Sequence, residues 1–97
     1  MSDPGLIIRN IAQWGTMVEE KQLDITMLQN ELAQVTESSI DNPKSVEAAK
    51  RKLLAKLTAA QMLYNLAKTF YDFWIKVFED FINFIKKNQE LGFSGGR

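Results

Sequence analysis

Apolar residues recur along the first third of the chain at alternating steps of four and three positions. This heptad period predicts an amphipathic helix whose apolar face packs against a partner helix. Lys21 is the one polar member. Gly15 beside the row leaves open whether the helix is continuous, because glycine costs ~1 kcal/mol relative to alanine. The row consists of Ile7, Ile11, Trp14, Val18, Lys21, Ile25, Leu28, Leu32 and Val35.

The second half carries two heptad rows side by side. From Lys44 to Leu91 the chain has 48 residues without Gly or Pro, which favours one long helix. One row continues the pattern of the first half, and we call the two together the hairpin seam. Its second-half members are Val46, Lys50, Leu53, Leu57, Ala60, Tyr64, Ala67, Tyr71, Trp74, Phe78, Phe81 and Ile85. We call the other row the second seam, and it consists of Ala59, Leu63, Leu66, Phe70, Phe73, Val77 and Phe84.

Residues typical of helix ends bound both predicted helices. Asp3-Pro4 and Asn42-Pro43 each place a short polar side chain, which caps free amide groups, before a proline at the first helical position. Gly92 predicts the end of the second helix in a left-handed conformation, with Phe93 packing back onto it. We therefore expect a single all-α domain over residues 1–97, with helix 1 at about 4–38, a turn at 39–43 around Asp41, Asn42 and Pro43, helix 2 at about 44–91 and a tail at 92–97.

One heptad row suits one partner helix, so the chain is expected to fold back as an antiparallel, coiled-coil-like hairpin with a long C-terminal helix. In that arrangement Val35 lies near Val46, and the basic run from Lys50 to Lys56 lies beside Glu31 and Glu37. The contacts of the hairpin are expected from Ile11, Trp14, Val18, Ile25, Leu28 and Leu32 of the first helix and from Val46, Leu53, Leu57 and Tyr64 of the second.

The aromatic part of helix 2 carries more apolar surface than a hairpin covers. At 1.5 Å per residue the helices span ~50 Å and ~70 Å, so about four turns of helix 2, from Val77 onward, lack a partner. Between Phe70 and Lys87 the apolar side chains occupy an arc of ~200°. Leaving the six apolar side chains of the unpartnered turns in water forfeits on the order of 10 kcal/mol, so we expect copies of the chain to cover them in a helical oligomer or filament. The interface is expected at Phe70, Phe73, Trp74, Val77, Phe78, Phe81, Phe84 and Ile85.

Composition argues against most chemistry. The chain has no His and no Cys, so the commonest general base, metal ligand and thiol nucleophile are missing, and we expect no catalytic site, cofactor or metal. The net charge is zero, although the first segment is acidic and the second basic, so bulk charge does not favour nucleic acid as a partner. No secretion signal is recognised at the start. Charges such as Asp72 and Lys76 interrupt the longest apolar region, so no membrane-spanning helix is expected.

Three alternatives explain the aromatic residues without self-assembly. The chain could break into several short helices that bury the rings in a small bundle of its own. It could be a heteromeric adaptor or export chaperone whose apolar row receives a partner's amphipathic helix. Helix 2 could also lie in a membrane surface, although its polar face lacks the basic excess typical of such helices.

Three short motifs resemble the subunits of the bacterial type III secretion needle and its inner rod. They are Asp41-Asn42-Pro43 at the turn, Leu63-Tyr64-Asn65 in helix 2, and the stretch KVFEDF from Lys76 to Phe81. The resemblance implies a hairpin subunit that stacks helically into a hollow filament, with the second helix lining a lumen through which unfolded proteins pass. It also implies a location at or outside the cell surface, whereas a chain of another kind is expected in the cytoplasm.

Overall fold

The protein consists of two long α-helices packed against each other. The computed structural model describes residues 3–37 and 43–95, with side chains described as far as Glu90. Helix α1 spans Pro4–Glu37 and helix α2 spans Pro43–Gly95, and together they form a rod of 82 × 18 × 14 Å. The all-α hairpin with a longer C-terminal helix is therefore confirmed.

The start of α1 has the cap that its sequence predicts. The Asp3 carboxylate accepts a hydrogen bond from the backbone N–H of Gly5 at 3.0 Å. Pro4 is the first helical residue, where its missing N–H leaves no hydrogen bond unmade. The corresponding predicted cap of the second helix, at Asp41 and Asn42, lies outside the described residues.

Helix α2 begins where predicted and ends later. Its first residue is Pro43, and it continues through Gly92 to Gly95, so the stop predicted at Gly92 is not formed there. Among the described glycines none has a positive φ. Glycine permits a left-handed helix end but does not require one. The side chain of Phe93, which was expected to pack back, lies outside those described.

Contacts at both ends of the hairpin establish its antiparallel register. Near the turn, Val35 of α1 and Val46 of α2 line the same shallow hollow, as predicted. Far from the turn, the rings of Trp14 and Phe70 stack with their centroids 4.8 Å apart and an interplanar angle of 20°. The end of α1 thus lies near the start of α2, and an early residue of α1 lies beside a late residue of α2. The two helices therefore run in opposite directions.

This register shortens the part of α2 that has no partner. The N-terminus of α1 lies about ten residues before Trp14. In the antiparallel pair it therefore lies beside the part of α2 about ten residues after Phe70, just before Phe81. Val77 and Phe78 are accordingly half-buried, although the helix lengths alone place them in the unpartnered segment. The overhang of α2 comprises residues 81–95 and is about 20 Å long.

Helix α1 is continuous through Gly15. The glycine makes room for an aromatic ring, because a Cβ added to it would lie 3.1 Å from Cε1 and 3.4 Å from Cδ1 of Tyr71. The shorter of these distances is below ordinary van der Waals contact, so any larger residue forces the ring to move. Glycine at this position therefore permits close approach of α2 and does not interrupt the helix.

Complete burial is limited in a pair of helices. Within the part of the chain that the structure describes, Ile7 and Ala67 are 0% exposed and Ala60 is 7% exposed, and no other apolar residue is fully buried. The seam residues predicted to hold the hairpin are half-buried, namely Ile11, Trp14, Val18, Ile25, Leu28, Leu32, Val46, Leu53, Leu57 and Tyr64. The core is thus a single strip between α1 and α2.

The close contact at Gly15 predicts a specific steric effect. Replacing Gly15 with Leu should lower the free energy of unfolding by about 1–2 kcal/mol, because overpacking against Tyr71 costs up to ~3 kcal/mol while leucine gains ~1 kcal/mol in helix propensity. The exposed neighbour Thr16 provides the matched control, since Thr16→Leu gains propensity without overlap. Urea unfolding followed by circular dichroism measures both; equal stability of the two variants would contradict the steric argument.

Candidate interaction surface

The second seam lies beside the contact between the helices and remains largely open. Its exposed fractions are 44% at Leu63, 51% at Leu66, 40% at Phe70, 56% at Phe73 and 46% at Phe84. Ala59 is also exposed and Val77 is half-buried. Every hairpin-seam residue of α2 from Ala60 to Ile85 is, by contrast, buried or half-buried. The two parallel rows of one helix therefore differ in what covers them.

Helix α1 contributes to the same surface. Met27 is 52% exposed and lines a shallow hollow together with Ala59 and Leu63. Trp14 extends from the hairpin seam to stack on Phe70. We call the second seam together with Met27 the open face. Sequence reasoning missed Met27, although it flanks the hairpin seam on α1 and an antiparallel hairpin brings such flanking positions of both helices to one side.

Charged residues border the open face toward the turn. Lys56 and Glu31, which approach from opposite helices, line the same hollow as Met27. Lys21, the polar member of the hairpin seam, is half-buried and places its Nζ 3.4 Å from Oδ2 of Asp24. Each ion pair found among the described residues joins two groups no more than six positions apart in the sequence. Lys56 and Glu31 line the same hollow, but they are not among these ion pairs.

A second charged pair lies at the other end of the row. Lys76 donates a hydrogen bond from Nζ to Oδ1 of Asp80 at 3.0 Å. This hydrogen bond and the negative charge of Asp80 raise the pKa of Lys76, and the charge of Glu79 adds to the effect. Both partners are exposed, so the pair stabilises the helix little. It does keep the outward side of the aromatic stretch charged at neutral pH.

The eight interface residues predicted from the sequence fall on two faces. Phe70, Phe73, Val77 and Phe84 belong to the second seam, whereas Trp74, Phe78, Phe81 and Ile85 are half-buried members of the hairpin seam. Phe73 and Trp74 meet at the boundary, edge to face, with centroids 5.5 Å apart and an interplanar angle of 85°. Leu63 and Leu66 are as exposed as the phenylalanines, and an emphasis on aromatic residues passed over them.

Exposed apolar side chains elsewhere are scattered. Ile8 is 57% exposed and Leu54 is 48% exposed, and each directly follows a hairpin-seam residue, on the side of the seam away from the open face. Single exposed apolar residues of this kind are common on protein surfaces, whereas a continuous row indicates an interaction site. The open face is therefore the candidate site, and the scattered residues offer matched controls for it.

The described residues contain no group of three or more His, Cys, Asp or Glu side chains placed to hold a metal ion. In the same part of the chain, neither helix combines the length and the apolarity needed to cross a membrane. No family model matches the chain, and neither a curated protein nor a solved structure matches it. The function of the open face is therefore inferred from its own chemistry.

The difference between the two rows predicts a difference in stability. Leu66→Glu should change the free energy of unfolding by no more than ~0.5 kcal/mol, because Leu66 lies outside the hairpin contact. Leu57→Glu should cost ~2 kcal/mol or more, since it places a charge in the half-buried seam. Chemical unfolding at a concentration where the chain is monomeric by sedimentation measures both. A large loss for Leu66→Glu would mean that this side chain is part of the hairpin core.

Proposed function

We propose that this chain is a self-assembling structural subunit whose hairpins associate through the open face into a helical filament or tube. The observation that carries the proposal is the contrast between the packed hairpin seam and the second seam. In the latter, Leu63, Leu66, Phe70 and Phe73 remain 40–56% exposed. A two-helix hairpin has no further element to cover them, and a second copy of the chain supplies the missing layer.

The free energies of burial and association favour several contacts per subunit over a single contact. Each of these side chains is about half-covered already, so covering the rest contributes roughly 1 kcal/mol per side chain. Association costs ~4 kcal/mol or more in translational and rotational freedom. A single small contact therefore gives a weak complex, whereas a subunit that touches several neighbours in a filament gains the apolar burial repeatedly.

The overhang of α2 supplies a second contact surface. Phe81, Phe84 and Ile85 line a shallow hollow there with Asn88 and Gln89, beyond the end of α1. A neighbour placed end to end would cover these rings. Two separate surfaces are what open-ended growth requires, because one self-complementary surface closes as a dimer.

A conduit like the protein-secretion needle is the more specific form of this proposal. It is supported by the resemblance at the turn, at Leu63-Tyr64-Asn65 and at residues 76–81, and by the hairpin with a longer C-terminal helix. In this form α2 lines a lumen. A central channel in averaged cross-sections of the filament would test it.

Electron microscopy tests the assembly. In negative stain over a concentration series, the purified chain should form elongated particles that lengthen as its concentration rises. The variant Leu66→Glu with Phe73→Glu should remain monomeric and helical, because it places charges on the open face and leaves the hairpin seam intact. The control Ile8→Glu with Leu54→Glu changes two residues of similar exposure on the other side of the hairpin seam and should assemble normally.

Other outcomes would contradict the proposal. If the parent chain stayed monomeric, the proposed self-assembly would be wrong. If the control lost assembly together with the test variant, the open face would not be the surface responsible for assembly. A small oligomer that stops growing would favour a heteromeric adaptor. Leakage of lipid vesicles on addition of the chain would favour a membrane-active helix.

A further inference from the structure

We infer that the second seam packs against the second seam of another copy, antiparallel and about a two-fold axis, with Leu66 of each copy facing Phe70 of the other. The inference rests on the proposed self-assembly and specifies its first contact. It follows from the order of side chains along the exposed row, from the charges that end the row, and from the position of the row within α2.

The first six members of the row have the same spacing in both directions. From Ala59 to Val77 they are separated by steps of four, three, four, three and four residues, and the midpoint falls between Leu66 and Phe70. An antiparallel copy therefore matches these six members position for position. The resulting pairs are Ala59 with Val77, Leu63 with Phe73, and Leu66 with Phe70. Each pair joins a smaller side chain to a larger one, which fills the space between two helices evenly.

The residues that flank these six members carry opposite charges. Lys56 lies three positions before Ala59, and Asp80 lies three positions after Val77. Both are exposed, and the Asp80 carboxylate accepts from Lys76 at only one of its oxygens. In the antiparallel register Lys56 of each copy meets Asp80 of the other, so the symmetry makes two such pairs. Exposed pairs contribute little affinity, but they select orientation and register.

Other registers are less favourable. Parallel copies in register would place Lys56 against Lys56 and Asp80 against Asp80. A seven-residue slip of the antiparallel pair in one direction sets Leu63 against Asp80, and a slip in the other sets Phe73 against Lys56. Among these registers, the one centred between Leu66 and Phe70 pairs each of the six members from Ala59 to Val77 with another of the six, while Phe84 lies opposite Lys52.

The midpoint of the row also lies near the midpoint of the helix. Helix α2 spans Pro43–Gly95, so an axis between Leu66 and Phe70 lets two copies overlap along almost all of α2. Each overhang then lies alongside the turn end of the other copy. The side of the overhang that would face α1, with Phe81 and Ile85, stays available for the end-to-end contact of the filament.

Cysteine cross-linking tests the register, because the chain has no native cysteine. Chains carrying Ala59→Cys and chains carrying Val77→Cys are oxidised in a glutathione buffer, separately and as a mixture. The mixture should form a disulfide between the two variants at least ~10-fold more abundant than either self-linked product. In the antiparallel pair identical positions lie ~27 Å apart, well beyond the ~7 Å that a disulfide allows between Cα atoms. Leu54→Cys, exposed but on the other side of the hairpin seam, measures cross-linking by random collision.

A charge exchange gives a second measurement. Lys56→Glu should reduce the mixed disulfide several-fold, and adding Asp80→Lys to the same chains should restore it. Failure of the second change to restore the yield would overturn the register. So would efficient self-linking of either cysteine variant, which indicates parallel copies.

The cross-linking experiment and the microscopy experiment test the two proposals separately. Filaments without a mixed disulfide above the Leu54→Cys level would overturn this pairing, and the proposed function would then depend on another contact. A chain that is monomeric by sedimentation and shows no mixed disulfide would overturn both.

Discussion

A pair of helices can shield only the strip along which they touch, and this constraint shapes the whole molecule. One strip is used by the hairpin seam, and within it only Ile7, Ala60 and Ala67 are fully buried among the described residues. Any second apolar row on either helix must then remain in contact with water. The second seam is such a row, and its exposure is a consequence of having two helices and no third layer.

The unequal lengths of the helices add a separate feature. Helix α1 has 34 residues and α2 has 53, and the end of α1 lies beside the start of α2. The excess therefore accumulates at one end of the rod as the overhang, which is rich in apolar side chains. One molecule thus presents a lateral surface and a terminal surface that differ in position and composition. This combination suits an extended assembly better than a closed one.

Electrostatics has a secondary role in this architecture. The ion pairs of Lys21 with Asp24 and of Lys76 with Asp80 lie within single helices, where they support local structure weakly. The opposite net charges of the two helices are consistent with their antiparallel packing, but the ion pairs found among residues 3–37 and 43–90 lie within short stretches of the chain and do not join the two helices. In the inferred two-fold contact, charge acts in the same way: Lys56 and Asp80 discriminate between registers, while the apolar row carries the burial.

The sequence by itself determined the elements of this protein. The heptad rows, the prolines at positions 4 and 43 and the long stretch without Gly or Pro were sufficient for two helices, their hairpin and the existence of a second row. The tertiary structure decided how far along α2 the cover of α1 extends, that α2 runs past Gly92, and that Gly15 accommodates Tyr71. It also divided the predicted interface, leaving Phe73 open and Phe78 half-buried. The reason is physical: the period of a helix states which residues share a face, but only the position of the other helix states which face is occupied.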